Sequence, residues 1–342
     1  MKKILAIILS ASIAIAANAQ KNLYQTKSLS NVAIKNVEAK TSGGSIEIAG
    51  GYSSDARIEV YVSSNNSNNS LSNDEIKTRL DEDYELTITA NGNKLTAIAK
   101  TKHNNMNWRK SLNISFKIFV PQNVSTDLST SGGHIAISNL TGTEDFRTSG
   151  GSLTVDKLTG KVNGETSGGS ITVSNSKDDI DLGTSGGSIH ADNCSGKIRL
   201  NTSGGSLTMN DLKGDVKATT SGGSVNGKNI DGELITSTSG GHIDITNLSG
   251  SLSASTSGGS INVAMNSVKD YVKLNNSGGN IDIQIPKDKG YNLKLYGDKV
   301  HTETLNNFSG STKERELVGT VNGGGASISA DASGGKVYLT FK

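Results

Sequence analysis

The chain of 342 residues has one cysteine, two prolines and few aromatic side chains, 4% in all, while glycine fills 41 positions. Each scarcity excludes something. A lone thiol, Cys194, rules out an internal disulfide framework. So much glycine with so few aromatics does not suit a compact enzyme core. Charge of one sign is also missing, because the 34 basic residues less Lys2 and Lys3 match the 32 acidic ones. A nucleic-acid or anionic-membrane binder is therefore not expected.

Long hydrophobic runs are absent except at the start. There Lys2 and Lys3 precede an apolar run from Ile4 to Ala16 and the small-residue site Ala17-Asn18-Ala19. This pattern predicts a cleaved signal peptide, with the mature chain beginning at Gln20. The run falls short of the roughly 20 apolar residues that a spanning helix needs, and no transmembrane segment is expected after cleavage. No cysteine stands at the cleavage site to carry a lipid. The predicted destination is the periplasm, the cell surface or the medium.

What the sequence has is a repeat. Thr-Ser-Gly-Gly opens at Thr130, Thr148, Thr166, Thr184, Thr202, Thr220, Thr238 and Thr256, always 18 residues apart. A fixed period near 20 residues means stacked structural units. With that Thr as position 1, position 6 is aliphatic in all eight copies: Ile135, Leu153, Ile171, Ile189, Leu207, Val225, Ile243 and Ile261. Position 8 is mostly Ile, Val, Ala or Met. Position 11 runs Leu140, Leu158, Ser176, Cys194, Leu212, Ile230, Leu248 and Asn266, and position 15 is Val162, Ile180, Ile198, Val216, Leu234 and Leu252 in the middle copies. Apolar residues at 6 and 8, and again at 15 with Leu182 or Leu200 at 17, alternate with a period of two, so each repeat holds two strands buried on one face.

Two corners join them: Ser-Gly-Gly at positions 2 to 4, and a turn with Gly at position 13 in six of the eight copies. Glycine at both is expected to supply backbone angles that other residues disfavour. The reading is an all-β, single-chain parallel β-solenoid, expected right-handed, with 18-residue coils stacked at about 4.8 Å each, or about 38 Å for eight.

Pro121 and Pro286 flank the array, each after a β-rich apolar run, and mark its expected bounds. The organisation predicted is a signal peptide over 1–19, a β-rich capping region over 20–121, the solenoid over 122–285 and a second cap over 286–342. An isolated T-S-G-G-S-I-E-I copy starts at Thr41, and a short helix is expected near Asn73 to Leu80. Caps are required because a bare terminal coil leaves strand edges unpaired.

The tandem T-S-G-G-[SH]-[ILV] units, the lead-in I-S-F-K-I-F-V-P-Q-N-V-S-T-D-L-S-T-S-G-G and the closing N-F-S-G and V-N-G-G-G segments resemble the bacterial putative-adhesin β-strand-repeat family, a domain of unknown function. The likeness spans nearly all of the mature chain. It implies a secreted or envelope β-solenoid and brings no catalytic residues with it.

Candidate chemistry is thin. Calcium-loaded solenoids need an aspartate in every turn, and the Thr-Ser-Gly-Gly-Ser corner has no carboxylate. His134 and His242 at position 5 are six coils, about 29 Å, apart, and His190 sits at position 7 elsewhere; all three read as solvated surface residues. Asp178, Asp179 and Asp181 suggest a glycosidase-like pair, but Asp179 and Asp181 flank an inward Ile180 and read as a solvated turn. Cys194 occupies an inward position and reads as a small buried hydrophobe. Trp108 reads as packing where the N-terminal cap meets the first coil. Between Gln122 and Ile285 the only aromatics are Phe146 and Tyr271, too few for sugar stacking within the array. No metal, cofactor or catalytic group is expected.

The outer faces carry more. Positions 14 and 16 hold Lys161, Asp179, Asp181, Lys197, Arg199, Asp215 and Lys217, whose alternating sign suits register-keeping between rungs. Positions 5 and 7 are nearly uncharged and offer Ser152, Thr154, Ser170, Thr172, Ser206 and Thr208 as a flat hydroxyl face, with His190 and other residues interrupting the second column. The function expected is a non-enzymatic, adhesin-like interaction protein that meets a cell-surface glycan or protein through this face. A polysaccharide-active β-helix enzyme and a purely structural envelope spacer are the alternatives.

Overall fold

The computed structural model describes residues 22–65, 71–103 and 111–342. The predicted signal peptide and Trp108 lie outside the described residues. The chain is all-β, one long, mostly parallel sheet that coils without closing into a barrel. Coils stack on equivalent residues. Ile171–Ser174 pairs in parallel with Leu153–Asp156 on one side and Ile189–Asp192 on the other. Thr159–Thr166 pairs with Lys177–Thr184 so that Val162 faces Ile180 and Thr166 faces Thr184. The 18-residue period therefore sets the register. A slip of one residue would turn positions 6, 8, 15 and 17 out of the core.

Those positions are buried throughout, from Ile135 and Leu153 to Leu252 and Ile261. Neighbouring coils also exchange volume. At position 17 the Phe146 ring fills space that Gly164 leaves one coil later, where a Cβ would stand 2.3 Å from the ring. Position 15 of the first coil breaks the pattern with Glu144, which is fully buried.

The corners are built differently from the sequence expectation. The second glycine of Thr-Ser-Gly-Gly does not adopt left-handed angles. It is glycine because the coils touch there: a Cβ on Gly169 would lie 1.9 Å from the carbonyl oxygen of Gly151. Left-handed angles occur instead at position 13, as at Gly160 (φ 114°), and at position 10, where Asn139, Lys157, Asn175, Asn193, Asp211, Asn229 and Asn247 all have φ between 50° and 56°. Asn and Asp tolerate that region better than other side-chain-bearing residues, which accounts for the asparagine column. The amides also tie rungs together, Asn193 Nδ2 donating to Asn175 Oδ1 at 2.7 Å and Asn247 Nδ2 to Asn229 Oδ1 at 3.0 Å.

The threonine of each motif faces inward and bonds in two directions. Thr202 Oγ1 donates to the Gly187 carbonyl of the preceding coil at 2.7 Å and accepts the Gly205 N–H of its own coil at 3.3 Å. Thr148, Thr166, Thr184, Thr220, Thr238 and Thr256 repeat the arrangement. Where the array ends, Asn276 takes the place of Thr and does the same work with its amide, Nδ2 to the Gly259 carbonyl and Oδ1 from the Gly278 and Gly279 N–H groups.

The isolated copy at Thr41 lies directly against the first array coil, Thr41 opposite Thr130 and Ile46 opposite Ile135. The segment between them adds a further layer: Lys94–Thr101 and Leu112–Phe119 pair with the Thr41 coil from its other side. Antiparallel strands follow outside, with the helix Asn73–Asp83 opened by a Ser72/Glu75 capping box and anchored by buried Ile76 and Leu80. At the other end the strand Ile261–Asn276 has irregular register, and Met265 rather than Asn266 fills the position-11 slot. The last strand, Ala326–Phe341, inserts between the array and the earlier segment Tyr291–Thr302.

Candidate functional site

Position 7 lies between the buried residues at 6 and 8, so strand alternation points it outward. Parallel in-register pairing then lines it up along the rod. Thr154 faces Thr172, Thr172 faces His190 and His190 faces Thr208. Ser152 and Ser170 precede the two adjoining threonines, so four of the six predicted residues meet on neighbouring rungs, all exposed. Ser206 and Thr208 stand two rungs further on, beyond Ser188 and His190, and are half-buried. The serines are held as well as displayed: Ser170 Oγ accepts the Ser188 N–H at 3.3 Å and Ser206 Oγ accepts the Ser224 N–H at 3.2 Å.

Two histidines serve the same register. His242 Nδ1 accepts the Ser260 N–H at 2.9 Å, and His134 Nδ1 is hydrogen-bonded to Ser45 Oγ at 2.9 Å. Arg199 reaches across one rung to Asp181 at 2.8 Å and to Asp179 at 3.3 Å, the sign alternation expected of positions 14 and 16. Cys194 is buried, its thiol pushed up by burial. Among the described residues no three His, Cys, Asp or Glu side chains gather as a metal site.

The position-7 row runs beyond the array at both ends, which the sequence reading did not foresee. Towards the N-terminal end it passes Ala136, Glu47 and Lys117. Towards the other it passes Asn226, Asp244, Asn262 and Asp282 and then meets Tyr338 and His301, which the inserted last strand and its neighbour bring into line. Tyr338 and His301 stack with centroids 4.9 Å apart and planes 6° from parallel. Asn262 Nδ2 donates to Asp244 Oδ1 at 2.5 Å, and partial desolvation raises the Asp282 carboxyl from its ordinary value. A groove of about 190 Å³ lies over these rungs. A count of aromatics confined to the array missed Tyr338, because only the sheet order brings it to this face. Of the two aromatics counted, Phe146 is buried as expected, and Tyr271 donates to Glu233 at 2.6 Å and is pushed up to about 12 by that bond.

A larger polar groove, about 480 Å³, follows the Thr-Ser corner past Arg147, Glu165, Asn201 and the position-2 serines. Its walls are mostly hydroxyls and backbone. Among the described residues no helix is long and apolar enough to cross a membrane.

These features define a parallel β-solenoid with outward rows in register from coil to coil. The model of the Toastrack DUF4097 family matches residues 102–340, and the chain belongs to that family. No curated protein matches it. Two solved structures are similar: a putative cell adhesion protein from Clostridium sporogenes, 11% identical over 93% of this chain and 98% of that one with a TM-score of 0.20, and a putative adhesin from Bacteroides fragilis, 16% identical over 75% and 98% with a TM-score of 0.32. Neither superposes closely enough to carry residue roles across.

Proposed function

We propose that the chain is an exported, adhesin-like binding protein without catalytic activity, which holds a repetitive cell-surface glycan or protein along its position-5 and position-7 rows. The observation that supports this is the row itself. From Ser152 to Thr208, exposed or half-buried groups, hydroxyls except at His190, recur on one face at about 4.8 Å per rung, held in register by core packing and, at Ser170, Ser188 and Ser206, by the N–H of the next coil. A rigid face of that kind loses little conformational freedom when it meets a periodic partner. Short hydroxyls offer both donors and acceptors to it. Export rests on the basic, apolar and small-residue pattern at the start of the chain.

The test is a glycan and cell-surface binding screen of the protein beside a Thr154→Lys/Thr172→Lys/Thr208→Lys variant, whose substitutions leave the serine–backbone bonds in place. Loss of binding with an unchanged circular dichroism spectrum is expected. Undiminished binding by the variant refutes the face, and no binding by the unaltered protein favours a structural spacer.

A further inference from the structure

We propose that the end of the position-7 row nearest the last strand is a subsite for one uncharged pyranose ring of a glycan, with Tyr338 as its stacking platform. This names a ligand class for the adhesin-like reading and rests on that reading for its biological setting, though not for its chemistry.

The sheet order makes the slot. Tyr338 lies between Asp282 on one neighbouring strand and His301 on the other. His301 covers one face of the phenol ring in a near-parallel stack, which fixes the ring upright. The other face must therefore look towards the Asp282 rung. Asp282, Asn262 and Ala264 are short beside a tyrosine, so a groove of about 190 Å³ opens above them with the ring as its end wall. Pockets for drug-sized ligands begin at about 300 Å³. This one is small enough to select a single six-membered ring, with the rest of the chain continuing along the row.

Its polar groups suit sugar hydroxyls. Among the described residues the Asp282 carboxylate has no hydrogen-bond or ion-pair partner, and it can accept from two adjacent hydroxyls. Asn262 is oriented by its bond to Asp244, which leaves its carbonyl oxygen free of that contact, and Gln284 adds a second amide on the same wall. An apolar face with a few placed acceptors and donors is what a pyranose presents in reverse: axial C–H groups on one side and hydroxyls around the rim. Two carboxylates lining the groove disfavour an acidic sugar. Lys336 and Lys299 follow on the position-5 row beside it, so the end of the rod has no surplus of negative charge to favour an amine.

The experiment uses the full chain with β-1,4-linked hexamers of glucose, xylose and N-acetylglucosamine and the deacetylated glucosamine hexamer. Saturation-transfer NMR gives contact and calorimetry gives affinity. At least one neutral hexamer is expected to bind, with affinity falling about tenfold or more, about 1.4 kcal/mol, in Tyr338→Ala and Asp282→Ala and remaining within about threefold in Tyr338→Phe, which keeps the stacking face. Absence of binding by every neutral hexamer overturns the proposal. So does preference for the glucosamine hexamer, or equal affinity in Tyr338→Ala. Cell-surface adhesion is read separately: adhesion lost in the Thr→Lys variant but kept in Tyr338→Ala, with no hexamer binding, sinks the subsite alone. Hexamer binding without adhesion sinks the adhesin reading and leaves the subsite standing.

Discussion

Glu144 occupies a slot that is Val, Ile or Leu in the next six coils, and replacing it with glutamine should make the rod more stable at pH 8 while changing little at pH 4. The carboxyl is fully buried, Oε2 accepts from Thr126 Oγ1 at 2.6 Å and, among the described residues, Oε1 has no partner. Val162 pairs with it from the next coil, and the adjoining acidic residue Asp145 acts against its ionisation. Burial, offset in part by the Thr126 bond and reinforced by Asp145, pushes the group from 4.5 to about 7. The folded state thus holds the proton more tightly than the unfolded chain does. Stability is greatest below about 4.5, falls as pH rises towards 7 and is flat above it; the interval corresponds to about 3 kcal/mol.

Glu144→Gln keeps the shape and removes the titration, so the difference in stability between variant and parent should grow by about 3 kcal/mol from pH 4 to pH 8. Because repeats contact only their neighbours, unfolding is best read locally. The assay is native-state hydrogen exchange at the amides around Thr126, Glu144 and Val162, supported by urea midpoints. A difference that does not vary with pH would refute the reasoning, since it would mean that the buried carboxyl does not titrate in this range.

Three further outcomes follow from the corners. Gly169→Ala should cost more than about 3 kcal/mol, because its Cβ meets backbone that cannot retreat, whereas Gly168→Ala, whose nearest neighbour is 3.6 Å away, should change the urea midpoint little; equal losses would show that the first glycine is also held by stacking. Asp178 stands at φ 86° where most coils have glycine, and Asp178→Gly should raise stability by about 1 kcal/mol in thermal unfolding, a loss counting against strain. Thr202→Val strands the Gly187 carbonyl and Gly205 N–H and should cost about 1–3 kcal/mol, with Thr202→Ser milder; equal stability of the valine variant would show the bonds to be dispensable.

The coil was legible because its two strands repeat their apolar positions eight times, so the core columns at 6, 8, 11, 15 and 17 average out local exceptions such as Ser176 and Cys194. The reason for the second motif glycine was not legible. Sequence suggests backbone angles for any corner glycine, while the constraint at Gly169 is another backbone 1.9 Å from where a Cβ would be, a contact between residues one coil apart. The left-handed turn at position 10 was visible in principle, as a column of Asn and Asp one residue before a buried aliphatic. For the site, Ser152, Thr154, Ser170 and Thr172 could be placed on one face from alternation alone. Tyr338 and His301 could not, because the last strand enters the sheet inside a segment that precedes it in the chain, and period arithmetic has no purchase on an insertion out of order.

The partition of the coil also says where recognition can be written. Positions 1 and 4 are committed to the contact between coils, 6, 8, 11, 15 and 17 to the core and 10 and 13 to backbone angle, and each commitment recurs in most coils. A change there propagates to two neighbours through the parallel ladder. Position 7 has no such duty: its side chain leaves the sheet, its backbone is already paired, and it carries Thr, His, Asn, Asp and Tyr in turn without disturbing register. The motif that makes the sequence conspicuous is thus the part least able to vary with a ligand. On the proposed function, the inconspicuous residue three places beyond it, read rung by rung, is where one rod can differ from another in what it holds.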